Sequence, residues 1–273
     1  MKCLSLPRAC ACVALLVACP AWALAAKPTV ETNVPAADVE LFAAMKAGDI
    51  EVKVIPKDST AGVVTITNKT KKPLSIKLPE IFAAVPVAGQ FGGGGGMGGD
   101  MGGGMGGGGQ NQGMGGGGMG GGMGGGMGGG MGGGGGGFFN VAPEKVGKLT
   151  FVGVCLEHGK KDPSPRVPYT LVPLDVLNKD PKVAETIKML GRREIDQHSA
   201  QAAAWHLGNG MSWEQLAHKV GAKHIGGATD PYFTSVQLQR AMKIAHEAER
   251  RAAEAKTRQP ATSPGQQASL SQQ

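Results

Sequence analysis

Between Gly92 and Gly137, 34 of 46 residues are glycine and eight are methionine, in runs such as GGGMGGGMGGGM. Glycine loses more backbone entropy on ordering than any other residue and offers no side chain to bury. The tract therefore predicts a disordered loop that contributes nothing to a core. As a free coil its ends would lie roughly 35–40 Å apart. Such a segment either separates two domains or interrupts one, and the flanking sequence decides which.

Before the tract, IEVKVIPKD, AGVVTITNKT and PLSIKLPE read as short strands. Leu74, Ile76 and Leu78 alternate with Ser75 and Lys77, and Asn68 to Pro73 supplies a turn. After it, KLTFVGVCLEHG and PYTLVPLDV read as two more. Neither side has enough strands to close a fold, whereas together they do. The expectation is one Ig-like β-sandwich over residues 27–179, carrying the Gly/Met-rich insertion 92–137. Lengthening a surface loop adds only about 0.6 kcal/mol per doubling, so excising the tract is expected to leave the fold intact. Around Cys155, Leu149 and Phe151 share its face, and Val152, Val154 and Leu156 share the other. Apolar character on both faces marks a central strand with a buried thiol.

From residue 180 the period becomes helical. Asp180 with Pro181 is an N-cap followed by a first-turn proline, and Gly191 closes that helix. Asp196 caps the next, which runs to Gly208. Ser212 with Gln215 and Thr234 with Gln237 form capping boxes for WEQLAHKV and for a long helix carrying Leu238, Met242 and Ala245. A short helix from Val39 to Ala47 precedes the first strand. Residues 180–258 thus read as a small helical module, and the glutamine- and serine-rich 259–273 as a disordered tail. The class is α+β.

Residues 1–26 have the form of an export signal: Lys2 and Arg8, an apolar run from Ala9 to Val17, and the small-x-small site Ala23-Leu24-Ala25. Leu16-Val17-Ala18-Cys19 also fits a lipobox, which would make Cys19 a lipid anchor. Four of the five cysteines fall in this leader, leaving Cys155 as a lone thiol in an oxidising compartment. The remaining 26 basic and 21 acidic residues are scattered, and aromatics are 4% of the chain, so a nucleic-acid partner is not indicated. No Gly-x-Ser-x-Gly, His-Glu-x-x-His or suggestive carboxylate pair points to an enzyme.

The pairing of VCLEHGKKDPSPRVPY with the downstream AQAAAWHLGNGMSWEQLA resembles an uncharacterised family of secreted proteins from planctomycete-type bacteria. Val154-Cys155-Leu156 and Ala200-Gln201-Ala202-Ala203-Ala204-Trp205 are also similar to the cysteine and glutamine motifs of thioester-forming domains in bacterial surface adhesins. That similarity implies a bond between Cys155 and Gln201 able to acylate an amine on a partner. The sequence departs from those domains in the short separation of the two residues and in lacking an aromatic neighbour before the cysteine. The plain alternative is a buried thiol packed as an apolar residue.

Two metal readings stand beside these. Thioethers suit Cu(I), which makes Met97, Met101, Met105, Met114, Met119, Met123, Met127 and Met131 candidate ligands and Cu(I) a candidate cofactor. Cys155 and His158 form a C-x-x-H pair, two ligands where zinc needs three or four, and strand alternation would put them on opposite faces. The sequence reading is therefore an exported, non-enzymatic binding or structural protein, secreted, periplasmic or on the cell surface, with an unspecified envelope partner. The thioester and Cu(I) readings are its alternatives.

Overall fold

The computed structural model describes residues 36–87, 111–120 and 137–258. The export signal, Cys19, the tail and Met97, Met101, Met105, Met123, Met127 and Met131 lie outside the described residues. No helix among the described residues is long and apolar enough to cross a membrane.

The chain is α+β. Its strands are β1 (Ala37–Glu40), β2 (Ile50–Pro56), β3 (Ala61–Asn68), β4 (Leu74–Lys77), β5 (Ile81–Pro86), β6 (Met114–Gly120), β7 (Phe138–Val141), β8 (Val146–Cys155) and β9 (Tyr169–Val172), with a late hairpin of β10 (Val220–Lys223) and β11 (Thr229–Pro231). Its helices are α1 (Leu41–Ala47), α2 (Leu174–Leu177), α3 (Pro181–Gly191), α4 (Gln197–Asn209), α5 (Trp213–Ala217) and α6 (Ser235–Arg258).

The expected Ig-like sandwich gives way to a closed barrel in the order β2-β3-β8-β6-β5-β9, with a separate three-stranded sheet β1-β4-β7. The barrel closes where Val54 of β2 pairs with Tyr169 of β9. Its interior is the alternating face the sequence announces: Val52, Val54, Val64, Ile66, Leu149 and Phe151 are all buried in one cluster. What the sequence reading lacked was a stave. That stave is β6, drawn from the glycine tract and paired with β5 through Ala83–Gly115 and with β8 through Met114–Cys155 and Gly116–Gly153.

The expectation of an unstructured excursion is thus corrected at 114–120. Glycine serves there because neighbours fill the space that side chains would need. A Cβ on Gly116 would lie 2.5 Å from the Phe82 ring, and one on Gly115 2.4 Å from Ile187 of α3. Inside the barrel Phe82 and Phe151 meet edge to face at 5.1 Å. Excision of the whole tract would remove a barrel strand, so the expectation that it leaves the fold intact is withdrawn.

The helices form an outer layer over β8 and β6. Val154 and Leu156 are buried with Val183, Ile187 and Leu190 of α3 and Ala200 and Ala204 of α4. Local signals set the boundaries: Asp180 accepts from the Lys182 amide, Asp196 from that of Ser199, and Ser212 and Gln215 exchange both capping-box bonds. Two readings shift. The fifth helix ends at Ala217, because Val220 pairs with Pro231 in the β10–β11 hairpin. Met242 is exposed, and α6 instead turns Leu238, Ala241, Ile244, Ala245, Ala248 and Ala252 inward.

Asn68 fastens the two sheets together. Its Nδ2 donates to the carbonyls of Lys72 (2.8 Å), Val141 (3.1 Å) and Ala142 (3.3 Å), while Oδ1 accepts from the Thr70 amide at 2.8 Å. With 1% exposure, the amide of this Asn-Lys-Thr sequon is not presented for glycosylation by the folded chain. Asn68→Ala leaves buried carbonyls unpaired and is expected to lower stability by about 2–3 kcal/mol, read as a reduced urea midpoint at unchanged slope.

Candidate functional site

Strand β8 is longer than its neighbour. Pairing with β3 ends at Ala61–Val152, after which the Gly153 amide reaches the Thr60 carbonyl at 2.8 Å. Cys155, the last residue of the strand, therefore has an N–H and a C=O facing no strand on that side. In a buried position such groups need partners. Helix α4 supplies them. Gln201 accepts from the Cys155 amide at 2.7 Å through Oε1 and donates to the Cys155 carbonyl at 2.8 Å through Nε2. One turn earlier Gln197 donates to the Gly153 carbonyl at 3.1 Å, and at the helix end Asn209 donates to that of Leu156 at 3.1 Å. The polar positions of α4 thus continue the β-ladder with side chains.

The two residues singled out from the sequence meet here across 46 positions of chain. Cys155 is 0% exposed and Gln201 2%. The thiol points to the Ser59 carbonyl oxygen at 3.7 Å and belongs to an apolar cluster with Met189, Ala202, Ala203, Trp205 and Phe233. Burial above all, then the carboxylates of Asp162 and Asp58, pushes its pKa well above the usual thiol range. The resting thiol is therefore protonated, and its reactivity depends on what it touches rather than on ready ionisation.

Trp205, one turn beyond Gln201, borders a cleft of about 280 Å³ shared with Gln112, His158, Asp162, Lys219 and Tyr232. His158 stands edge to face on Trp205 at 4.8 Å. The strand-face argument that set His158 opposite Cys155 fails because β8 ends at Cys155 and the chain turns through Glu157 to Gly159. Burial first, and then the Lys219 charge, lowers the His158 pKa and so favours the neutral ring. Lys219 Nζ sits 3.1 Å from His158 Nε2 and about 5 Å over both the Trp205 and Tyr232 rings.

Among the described residues no group of three or more His, Cys, Asp and Glu could hold a metal ion. Met114 is fully buried in the barrel core and Met119 packs against it, so neither belongs to an open string of thioether ligands. His206 stacks on Trp213 at 4.0 Å, and His224 faces Asp230 at 2.7 Å.

Sequence reasoning missed Gln112 altogether. It is 2% exposed, its Nε2 donates to Asp162 at 2.6 Å, and its backbone carbonyl accepts from the Tyr169 hydroxyl at 2.9 Å. The available signal was Gln110-Asn111-Gln112, the amide-bearing interruption of the glycine tract. No family model matches this chain, and comparison with curated proteins and with solved structures yields no match either.

Proposed function

We propose that this chain is an exported, non-enzymatic protein of the bacterial envelope that attaches itself to a partner through a thioester between Cys155 and Gln201. One observation carries the reading: the side-chain carbonyl of Gln201 accepts the Cys155 amide at 2.7 Å in a site closed to water. That N–H polarises the carbonyl of the amide that the same residue's thiol would attack. It is also a donor positioned for the oxyanion that develops during attack. Burial of both side chains supplies the dry surroundings the step needs.

The step balances without a further reactant. Sγ forms a bond to Cδ of Gln201, the Cδ–Nε2 bond breaks, and Nε2 leaves as ammonia with the thiol proton. A partner amine then attacks Cδ, forming an amide and returning the thiol. Loss of Nε2 strips the Cys155 carbonyl of its donor, and an unpaired buried carbonyl costs about 1–3 kcal/mol. This raises the energy of the linked state and favours its discharge onto an amine. The resemblance of the two sequence motifs to those of thioester-forming adhesin domains, and the export-signal pattern of residues 1–26, agree with this reading.

The intact mass of the exported protein tests it. The expected mass is one ammonia below that of the processed sequence, with no titratable thiol at Cys155 after denaturation until methylamine is added, and Gln201→Ala abolishes the deficit. A mass equal to the processed sequence, with one thiol released on unfolding, would leave Gln201 as a structural clasp and the chain as a non-covalent binding protein.

A further inference from the structure

Two residues lining the cleft over Trp205 carry a polar atom that the fold leaves unserved. Gln112 Oε1 and Trp205 Nε1 are buried and have no hydrogen-bond partner among the described residues, and both side chains border the cleft. Gln112 is the more telling of the two. Its Nε2 is committed to Asp162, so the unserved atom is an acceptor beside a carboxylate. Asp162 is the one acidic side chain among the residues lining the cleft. Lys160, which also borders it, is paired with Glu157. The faces of Trp205 and Tyr232 complete the surroundings, and electron-rich aromatic faces attract cations.

An acceptor, a carboxylate and two aromatic faces form a receptor for an ammonium group. The structure holds one there already: the Lys219 ammonium lies 5.0 Å from the Trp205 centroid and 5.1 Å from that of Tyr232, and 3.1 Å from His158 Nε2. Lys219 stands just before the β10–β11 hairpin, on a side chain that is partly exposed, so its departure would leave the aromatic walls in place. We infer that this cleft is a binding site for a primary alkylammonium group, and that Lys219 is its resident occupant, displaced when an external amine enters.

The site deepens the proposed attachment chemistry, on which it rests only for what the bound amine does next. Trp205, a wall of the cleft, stands one turn beyond Gln201 on α4 and shares the buried cluster of Cys155, against which Tyr232 also packs. An amine held in the cleft is thus delivered beside the acyl group, and Lys219 keeps the site filled until a partner competes for it. A resident occupant lowers the apparent affinity for an external ligand by the fraction of time the site stands free.

The test uses the full chain carrying Cys155→Ala, in which no thioester forms, titrated with n-butylammonium chloride. The reporter is the indole N–H resonance of Trp205, identified by its loss in Trp205→Phe. Adding Lys219→Met is expected to produce a saturable shift with an apparent affinity about tenfold tighter than that of the Lys219-containing parent. Further change of Asp162→Asn is expected to weaken it again. Lys219→Gln serves as the second variant should the methionine form fail to fold. Equal responses with and without Lys219, or no shift once the lysine is gone, would overturn the inference. Because Cys155 is absent, neither result depends on the mass measurement, and a missing ammonia deficit would leave this titration unaffected.

Discussion

Gly118→Ala and Gly191→Ala are each expected to lower the melting temperature sharply, Gly118→Ala the more, although each adds a single methyl group. Gly118 has φ +64°, and a Cβ there would lie 2.3 Å from the Gly191 carbonyl oxygen. A Cβ on Gly191 would lie 2.6 Å from the Gly118 amide nitrogen. In both cases the obstructing atom is backbone, which cannot rotate away as a side chain does. Left-handed strain adds about 1–2 kcal/mol at Gly118, and overpacking about 1–3 kcal/mol. At Gly118 the two come to about 2–5 kcal/mol, a large share of the 5–15 kcal/mol or so that holds an ordinary domain together; Gly191 carries the overpacking cost alone. The damage also falls on two layers at once, since α3 rests on β6 at this contact. Gly120→Ala is the control: its nearest neighbour would be 3.9 Å away, and its melting curve should match the parent. Parent-like melting of both Gly118→Ala and Gly191→Ala would mean that β6 is not a stave of the barrel.

That strand marks the limit of what the sequence discloses. A strand is read from alternating side chains, and Met114–Gly120 has two. It is ordered by what surrounds it, with Phe82 and Phe151 filling one side and Ile187 and Gly191 the other. Those neighbours are distant in sequence, so nothing local announces them. The helix starts were legible for the opposite reason. Asp180, Asp196 and Ser212 act on amides two or three residues away, within the window that sequence inspection covers. The Cys155–Gln201 meeting lay between these cases. A motif resemblance drew attention to both residues, but the ladder end that turns Gln201 toward the strand follows from where β3 stops. The ammonium cleft was not legible, because it joins the glycine tract, the turn after β8, α4 and the two residues that flank the β10–β11 hairpin.

The stability of the Cys155–Gln201 contact separates a covalent link from a clasp, because the two depend on different atoms. As a clasp, the contact is made by the Gln201 amide and the Cys155 backbone, and the thiol has no part in it. Gln201→Ala would then strand a buried N–H and C=O at about 1–3 kcal/mol each, while Cys155→Ala would remove one sulfur from an apolar cluster at a cost of about 1 kcal/mol. As a thioester, the contact closes a loop of 46 residues. By the loop-entropy estimate used for disulfides, losing it costs about 4 kcal/mol. For a domain of this size that corresponds to a drop of roughly 8–16 °C in Tm. The expected result follows from the proposed link: Cys155→Ala falls by an amount comparable to Gln201→Ala, methylamine lowers the wild-type Tm toward the same value, and methylamine leaves Cys155→Ala unchanged. A wild-type Tm indifferent to methylamine, with a large loss in Gln201→Ala and a small one in Cys155→Ala, would assign the pair to architecture alone.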